Sequence, residues 1–223
     1  MKIIHEVDKQ LHKAIEDIRY SDIKTNEQKS SFLMTKEEIQ EILPEPPSNL
    51  SGSTYSDLIE LSMLTADINE QQRKFIMSVD DKVENAFRPF LDKFNLEFPD
   101  FMGRNQSFFK DFARDIEIVK YYYNRPRPEQ LADKYGIKIN VIKTESIKTP
   151  AYPSGHSVYG YLLEKMLSDM YPIHAQDFAK MAESVGMARK MQGVHFDSDV
   201  QAAKLLVNKT YHKIQKMIID KGE

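Results

Sequence analysis

The chain has 223 residues, a formal net charge of -3 and a pI near 6.1, with 41% hydrophobic and 29% charged residues. That length admits one large domain or two small ones, with a true core, and the charge supplies no overall basic field for nucleic acid or an anionic membrane surface. Cysteine is absent, which excludes disulfides, thiolate metal sites and cysteine nucleophiles.

At the N-terminus, Ile3, Ile4, Val7, Leu11, Ala14, Ile15 and Ile18 recur at three- and four-residue steps and predict an amphipathic helix over 3–18. Charges interrupt this segment every few residues, so it lacks the apolar centre of a signal peptide. No run approaches the roughly 18 apolar residues of a membrane span. The expectation is a cytoplasmic chain as written, or a periplasmic one if a leader has been removed. Residues 21–34 are polar and read as loop, so 1–34 is expected to be a helix-and-loop extension preceding a main helical domain over 35–223.

Thr35-Lys36-Glu37-Glu38 is a capping box ahead of Ile39, Ile42 and Leu43. Pro44 to Ser53 forms an irregular connector, rich in proline and serine. Beyond it, apolar spacing predicts helices near 55–67, 69–96, 105–123, 156–170, 173–191 and 197–218. Residues 134–152 lack helical period and read as a long loop holding a short extended piece around Ile137 to Ile142. Long loops of this kind are often functional. The fold class is all-α, a single-domain helical bundle with its active site at one end of the core helices. Leu162, Leu163, Met166 and Leu167 are expected in or beside the core, with Leu205, Leu206 and Met217.

Three clusters carry chemistry: Lys120-Tyr121-Tyr122-Tyr123-Asn124-Arg125-Pro126-Arg127-Pro128, then Pro153-Ser154-Gly155-His156, then Arg189 through His195 to Asp199. Each has an ordinary reading taken alone. The first is a solvated helix end with tyrosines in core and rim packing, the second a turn and cap, and the third a structural histidine beside a helix carboxylate. Together they supply the parts of a phosphoryl-transfer site. Arg and Lys neutralise phosphate oxygens, and backbone N–H groups at a helix start add donors. One histidine attacks phosphorus while a carboxylate orients it, and a second protonates the leaving oxygen. A helix beginning near 197 puts His195 and Asp199 within reach of one another.

Lys-x6-Arg-Pro, Pro-Ser-Gly-His and Arg-x5-His-x3-Asp, in that order, resemble the three-part signature of the type 2 phosphatidic acid phosphatase and vanadium haloperoxidase superfamily. Within it the chain is most similar to soluble class A bacterial acid phosphatases. The Pro-rich arm at 43–53, Tyr152 and Ser198-Asp199-Val200 also fit, and the resemblance covers about residues 40 to 218. It implies that Lys120, Arg127 and Arg189 bind phosphate oxygens and that Ser154 and Gly155 add donors. It further implies that His156 is the general acid, that His195 becomes phosphohistidine and that Asp199 holds the His195 ring. The implied activity is that of a metal-independent acid phosphatase acting on a small phosphate monoester. No cofactor is implied, although phosphate or vanadate fits such a pocket, and activity should form a bell on the acidic side of neutral. The resemblance also extends to a homodimer, with the N-terminal helix as a candidate contact. No nucleic-acid partner is expected. Ala188 stands where the family usually has serine.

Three other readings stay open on the sequence: a vanadate-dependent haloperoxidase, a lipid phosphatase that meets its substrate at a surface, and a non-catalytic phosphate- or nucleic-acid-binding module. Sugar phosphates, nucleotides, phospholipid head groups and polyphosphates all remain open as substrates.

Overall fold

A computed structural model describes residues 2–21, 35–98 and 106–220. Helix α1 spans Lys2–Glu16, α2 Lys36–Ile42, α3 Gly52–Leu64, α4 Glu70–Asp81, α5 Arg88–Lys93 and α6 Gln106–Tyr123. Next come α7 Pro128–Ala132, α8 Gly155–Met170, α9 Ala175–Met191 and α10 Asp197–Asp220. Single 3-10 turns intervene at Val83–Ala86, Asp133–Tyr135, Glu145–Ile147 and Pro172–His174. The described residues contain no strand, so the chain is all-α as expected. None of their helices is long and apolar enough to cross a membrane. The loop expected over 21–34 falls, beyond Ser21, outside the described residues.

Helices α8, α9 and α10 form the centre, with α8 packed along both neighbours. Two glycines allow the close approach. A Cβ on Gly160 would sit 3.2 Å from Val185 Cβ, and one on Gly186 would sit 2.5 Å from Val200 Cγ1. The main core takes Leu162, Leu163 and Leu167 from α8, Phe178 and Val185 from α9, Leu206 and Val207 from α10 and Phe112, Ile116 and Val119 from α6. Met166, Leu205 and Met217 lie partly buried against it. A smaller cluster of Leu58, Leu61, Leu131, Ala132 and Phe196 joins α3 and α7 to the start of α10.

The helix expected over 69–96 is broken into α4, a 3-10 turn and α5. Lys82 is extended at φ -148° and ψ 121°, and Asn85 Nδ2 donates to the Ser78 carbonyl at 2.8 Å, capping the end of α4. Pro89, at the start of α5, lacks the N–H a continuous helix would need. The capping box at Thr35 and Glu38 forms as read. The segment 137–142 makes no ladder because its partners are helix ends. Asn140 N donates to Thr65 Oγ1 at 3.1 Å and Ile142 N to the Gln192 carbonyl at 3.1 Å.

The last turn of α1 is tied to the body. Asn49 Nδ2 donates to the carbonyls of Ile15, Glu16 and Ile18 at 2.9, 3.2 and 3.0 Å. Tyr20 N donates to the Asn124 carbonyl at 3.2 Å, and its hydroxyl to the Ile147 carbonyl at 3.0 Å.

Candidate active site

The C-terminal ends of α6 and α9 and the N-terminal ends of α8 and α10 meet at one end of the bundle. Each is stopped or started by a local device. Asn124, at φ 47°, ends α6 one turn beyond Lys120, and the extended Arg-Pro-Arg-Pro stretch leaves from there. Ser154 caps α8 by accepting from Ser157 N. Gly193, at φ 79°, ends α9, and any Cβ there would meet Ile139 Cγ2 at 2.9 Å, so glycine is needed for both conformation and space. Asp199 Oδ2 accepts from Phe196 N at 2.9 Å, which caps α10 and satisfies an orphan donor of its first turn.

A cavity of about 410 Å³ opens at this junction, lined by Lys120, Arg127, Gly155, His156 and His195 among others. Five of the eight residues singled out from sequence therefore share one cavity. Asp199, 0% exposed, stands directly behind His195. Its Oδ2 lies 3.1 Å from His195 Nδ1, and Arg127 Nη1 lies 2.9 Å from His195 Nε2. A guanidinium only donates. His195 Nε2 is therefore the acceptor, and the ring proton sits on Nδ1, donated to Asp199.

Ser154 and Arg189 do not line the cavity. The Ser154 oxygen accepts from Ser157 Oγ at 2.9 Å. Arg189 is 1% exposed and donates to Asp80 Oδ1, to Gln192 Oε1 and, at 3.0 Å, to Ser146 Oγ. Ala188 lies in the main core, 1% exposed.

Asp80 and Arg125 were not assigned from the sequence. Asp80 sits in the last turn of α4, where carbonyls have no helical partner, and its carbonyl oxygen is 3.1 Å from His156 Nε2. A carbonyl only accepts, so Nε2 of His156 carries a proton. The Asp80 carboxylate also accepts from Ser146 Oγ at 2.5 Å. Arg125 Nη1 donates to Asp199 Oδ1 at 2.5 Å and to Ser198 Oγ at 2.8 Å, and its guanidinium carbon lies 4.0 Å over the Phe196 ring.

Burial and crowded cations set the protonation states. Burial, then Arg127, holds Lys120 well below its usual value. Burial, then Arg189, brings Arg127 down to about 10, still protonated at neutral pH. Burial, then Arg127, Lys120 and Arg189, holds His195 well below the usual histidine range. Burial, then Arg189, lowers His156 to about 4. Burial works to raise Asp80, but hydrogen bonds from Ser146 and Arg189 outweigh it and bring Asp80 to about 2. The cavity is thus a cationic pocket facing two neutral imidazoles, and a bound anion relieves its internal repulsion. Among the described residues, no group of three or more His, Cys, Asp or Glu side chains is arranged to hold a metal ion.

Residues 109–206 match the family model of the PAP2 superfamily, a narrower stretch than the 40 to 218 span of the resemblance. The non-specific acid phosphatase of Salmonella typhimurium is 34% identical over 97 residues, which cover 44% of this chain and 38% of that protein. The acid phosphatase of Zymomonas mobilis is 31% identical over 94 residues, covering 42% of this chain and 35% of its own. The non-specific acid phosphatase of Providencia stuartii is 33% identical over 92 residues, covering 40% and 36%. The matched stretch thus spans under two fifths of each of these relatives.

Proposed function

We propose, from the superfamily match over residues 109–206 and the geometry of the cavity, that the chain is a phosphomonoesterase working through phosphohistidine. The observation that carries this reading is the chain Arg127–His195–Asp199. It leaves an unprotonated Nε2 at the cavity, which is the form of histidine that attacks phosphorus.

In the first step His195 Nε2 attacks the phosphorus of a bound monoester. A P–N bond forms, the P–O bond to the alcohol breaks, and protonated His156 gives a proton to the departing oxygen. Nε2 of His156 is held by the Asp80 carbonyl, so Nδ1 is the nitrogen that serves this oxygen. Lys120 and Arg127 take charge from the phosphoryl oxygens, and the N–H groups at the start of α8 add donors. Arg189 reaches the phosphate only by sharing itself with Asp80. In the second step water attacks phosphorus, the P–N bond breaks, and His156, now neutral, accepts the water proton. Inorganic phosphate leaves. The fixed cations supply the charge that a metal supplies elsewhere, so the reaction is proposed to be metal-independent.

The test is hydrolysis of an aryl phosphate at pH 5 to 7 in the presence of a chelator, for wild type and His195→Ala, with a quench into alkaline detergent to trap phosphoenzyme. Turnover that survives the chelator, with both turnover and an acid-labile phosphoenzyme lost in the variant, supports the reading. Wild-type turnover that the chelator abolishes, or that survives in His195→Ala, overturns it.

A further inference from the structure

The phosphate-binding end accounts for only part of the cavity. Its volume of about 410 Å³ falls in the range of sites that take a whole small molecule, roughly 300–1,000 Å³. Which wall meets the alcohol half of the ester follows from His156, because the proton donor must stand at the leaving oxygen. One helical turn further along α8, Tyr159 shares its face with His156 and lines the same cavity. Val83 from the 3-10 turn after α4, with Ala113 and Ile116 from α6, completes that wall. Phe112 stands edge-on to Tyr159, with centroids 5.6 Å apart and planes at 86°, and holds the Tyr159 ring in place.

The exposed edge is different. Glu117, next to Ile116 on α6, and Glu145 with Lys148 line the cavity as exposed residues, and Glu145 and Lys148 pair with each other. Charge therefore lies at the mouth, while the wall beside the proton donor is apolar. A hydroxyl pressed against that wall would give up water without a matching partner.

Resting on the phosphomonoesterase reading, we infer that Tyr159, Val83, Ala113 and Ile116 form a leaving-group subsite. It takes an aromatic or compact apolar alcohol in preference to a polyol or sugar. Tyr159 is its specificity-determining residue, packing its ring against the body of the alcohol while His156 protonates the ester oxygen. The carboxylates of Glu117 and Glu145 at the mouth oppose a second phosphate on the same substrate.

The experiment compares kcat/KM for 2-phenylethyl phosphate and glycerol 3-phosphate, whose leaving alcohols differ little in acidity. Wild type, Tyr159→Phe and Tyr159→Ser are measured. We expect wild type to favour the phenylethyl ester by about tenfold or more, the scale on which apolar pockets discriminate, mainly through KM. Tyr159→Phe keeps the ratio and Tyr159→Ser collapses it. If Tyr159→Ser fails to fold, inhibition of wild type decides: 2-phenylethylphosphonate should bind at least about tenfold tighter than methylphosphonate. Equal kcat/KM for the two esters, or equal inhibition by the two phosphonates, overturns the subsite while leaving the phosphatase reading intact. Absence of wild-type turnover on these esters and on aryl phosphate overturns both.

Discussion

Arg125 and Asp199 meet at 2.5 Å with side chains 2% and 0% exposed, and the other oxygen of Asp199 holds His195. The carboxylate is thereby fixed from both sides. Removing one partner of a buried pair strands the other charge, at a cost of about 3–5 kcal/mol. We expect Arg125→Ala to lose stability on that scale and to lower kcat, because Asp199 is then free to turn away from His195. Lysine replaces the charge but not the stacking on Phe196, so Arg125→Lys should recover part of the stability. Denaturant midpoints and kcat for both variants check this.

A pH profile should separate the free enzyme from the complex. Burial and Arg189 hold His156 at about 4. A phosphate group beside it supplies the opposite charge and raises that value. The alkaline limb of kcat should therefore lie at higher pH than that of kcat/KM. Coincident limbs would remove His156 from the acid role. His156→Ala should lower kcat/KM, which reports the first step, by about 10²–10⁴-fold for alkyl esters, and by much less for nitrophenyl phosphate, whose leaving group needs no proton.

Asp80 pairs with Arg189 and offers its carbonyl to His156. In Asp80→Asn, Arg189 loses its resident anion. Inorganic phosphate should then inhibit more tightly, by about tenfold if 1.4 kcal/mol is released. The alkaline limb should move down, because the Asp80 charge helps to raise His156. Inhibition constants and the profile test the two effects separately.

Asp57 on α3 gives a stability prediction of defined sign. Burial pushes its carboxyl up to about 6, and Asp197, Asp199 and Glu60 add to the rise against the pull of Arg125. Its folded value exceeds the unfolded value of about 3.9. Its contribution is therefore present below pH 4 and lost as pH rises through 6. Asp57→Asn should raise Tm at pH 8, where a gain of 1 kcal/mol would appear as about 2–4 °C, and change little at pH 4. Thermal melts at both values decide it.

Where α9 meets α10, a Cβ on Gly186 would lie 2.5 Å from Val200 Cγ1. Gly186→Ala should cost about 1–3 kcal/mol by overpacking against Val200, and Val200→Ala in the same chain should return part of it. Chemical denaturation of the single and double variants measures the coupling.

The three motifs were legible because each is contiguous and each ends or begins a helix. Tertiary packing then had only to bring four helix ends together. Asp80 was not legible. It is one of two adjacent aspartates, Asp80 and Asp81, in a stretch whose apolar spacing continues toward residue 96, and that spacing hid the break at Lys82. Asn85 and Pro89 were the available signals, since both interrupt a helix. Arg125 belongs to the first cluster, but nothing in its spacing sets it apart from Arg127. An extended Arg-Pro-Arg places residues two apart on one side, and the two arginines do grip the same dyad, one at His195 and one at Asp199. The β-leaning run at 137–142 formed no strand because only helix ends lie beside it.

The amide of Ser154 donates to the carbonyl of Asp199 at 3.0 Å. This bond joins the residue two before His156 to the residue four after His195, using main-chain atoms alone. Every replacement at either position except Ser154→Pro keeps both of its atoms. The spacing between proton donor and nucleophile is thus inherited from the backbone, while the walls around it can change and admit a different alcohol without retuning the chemistry.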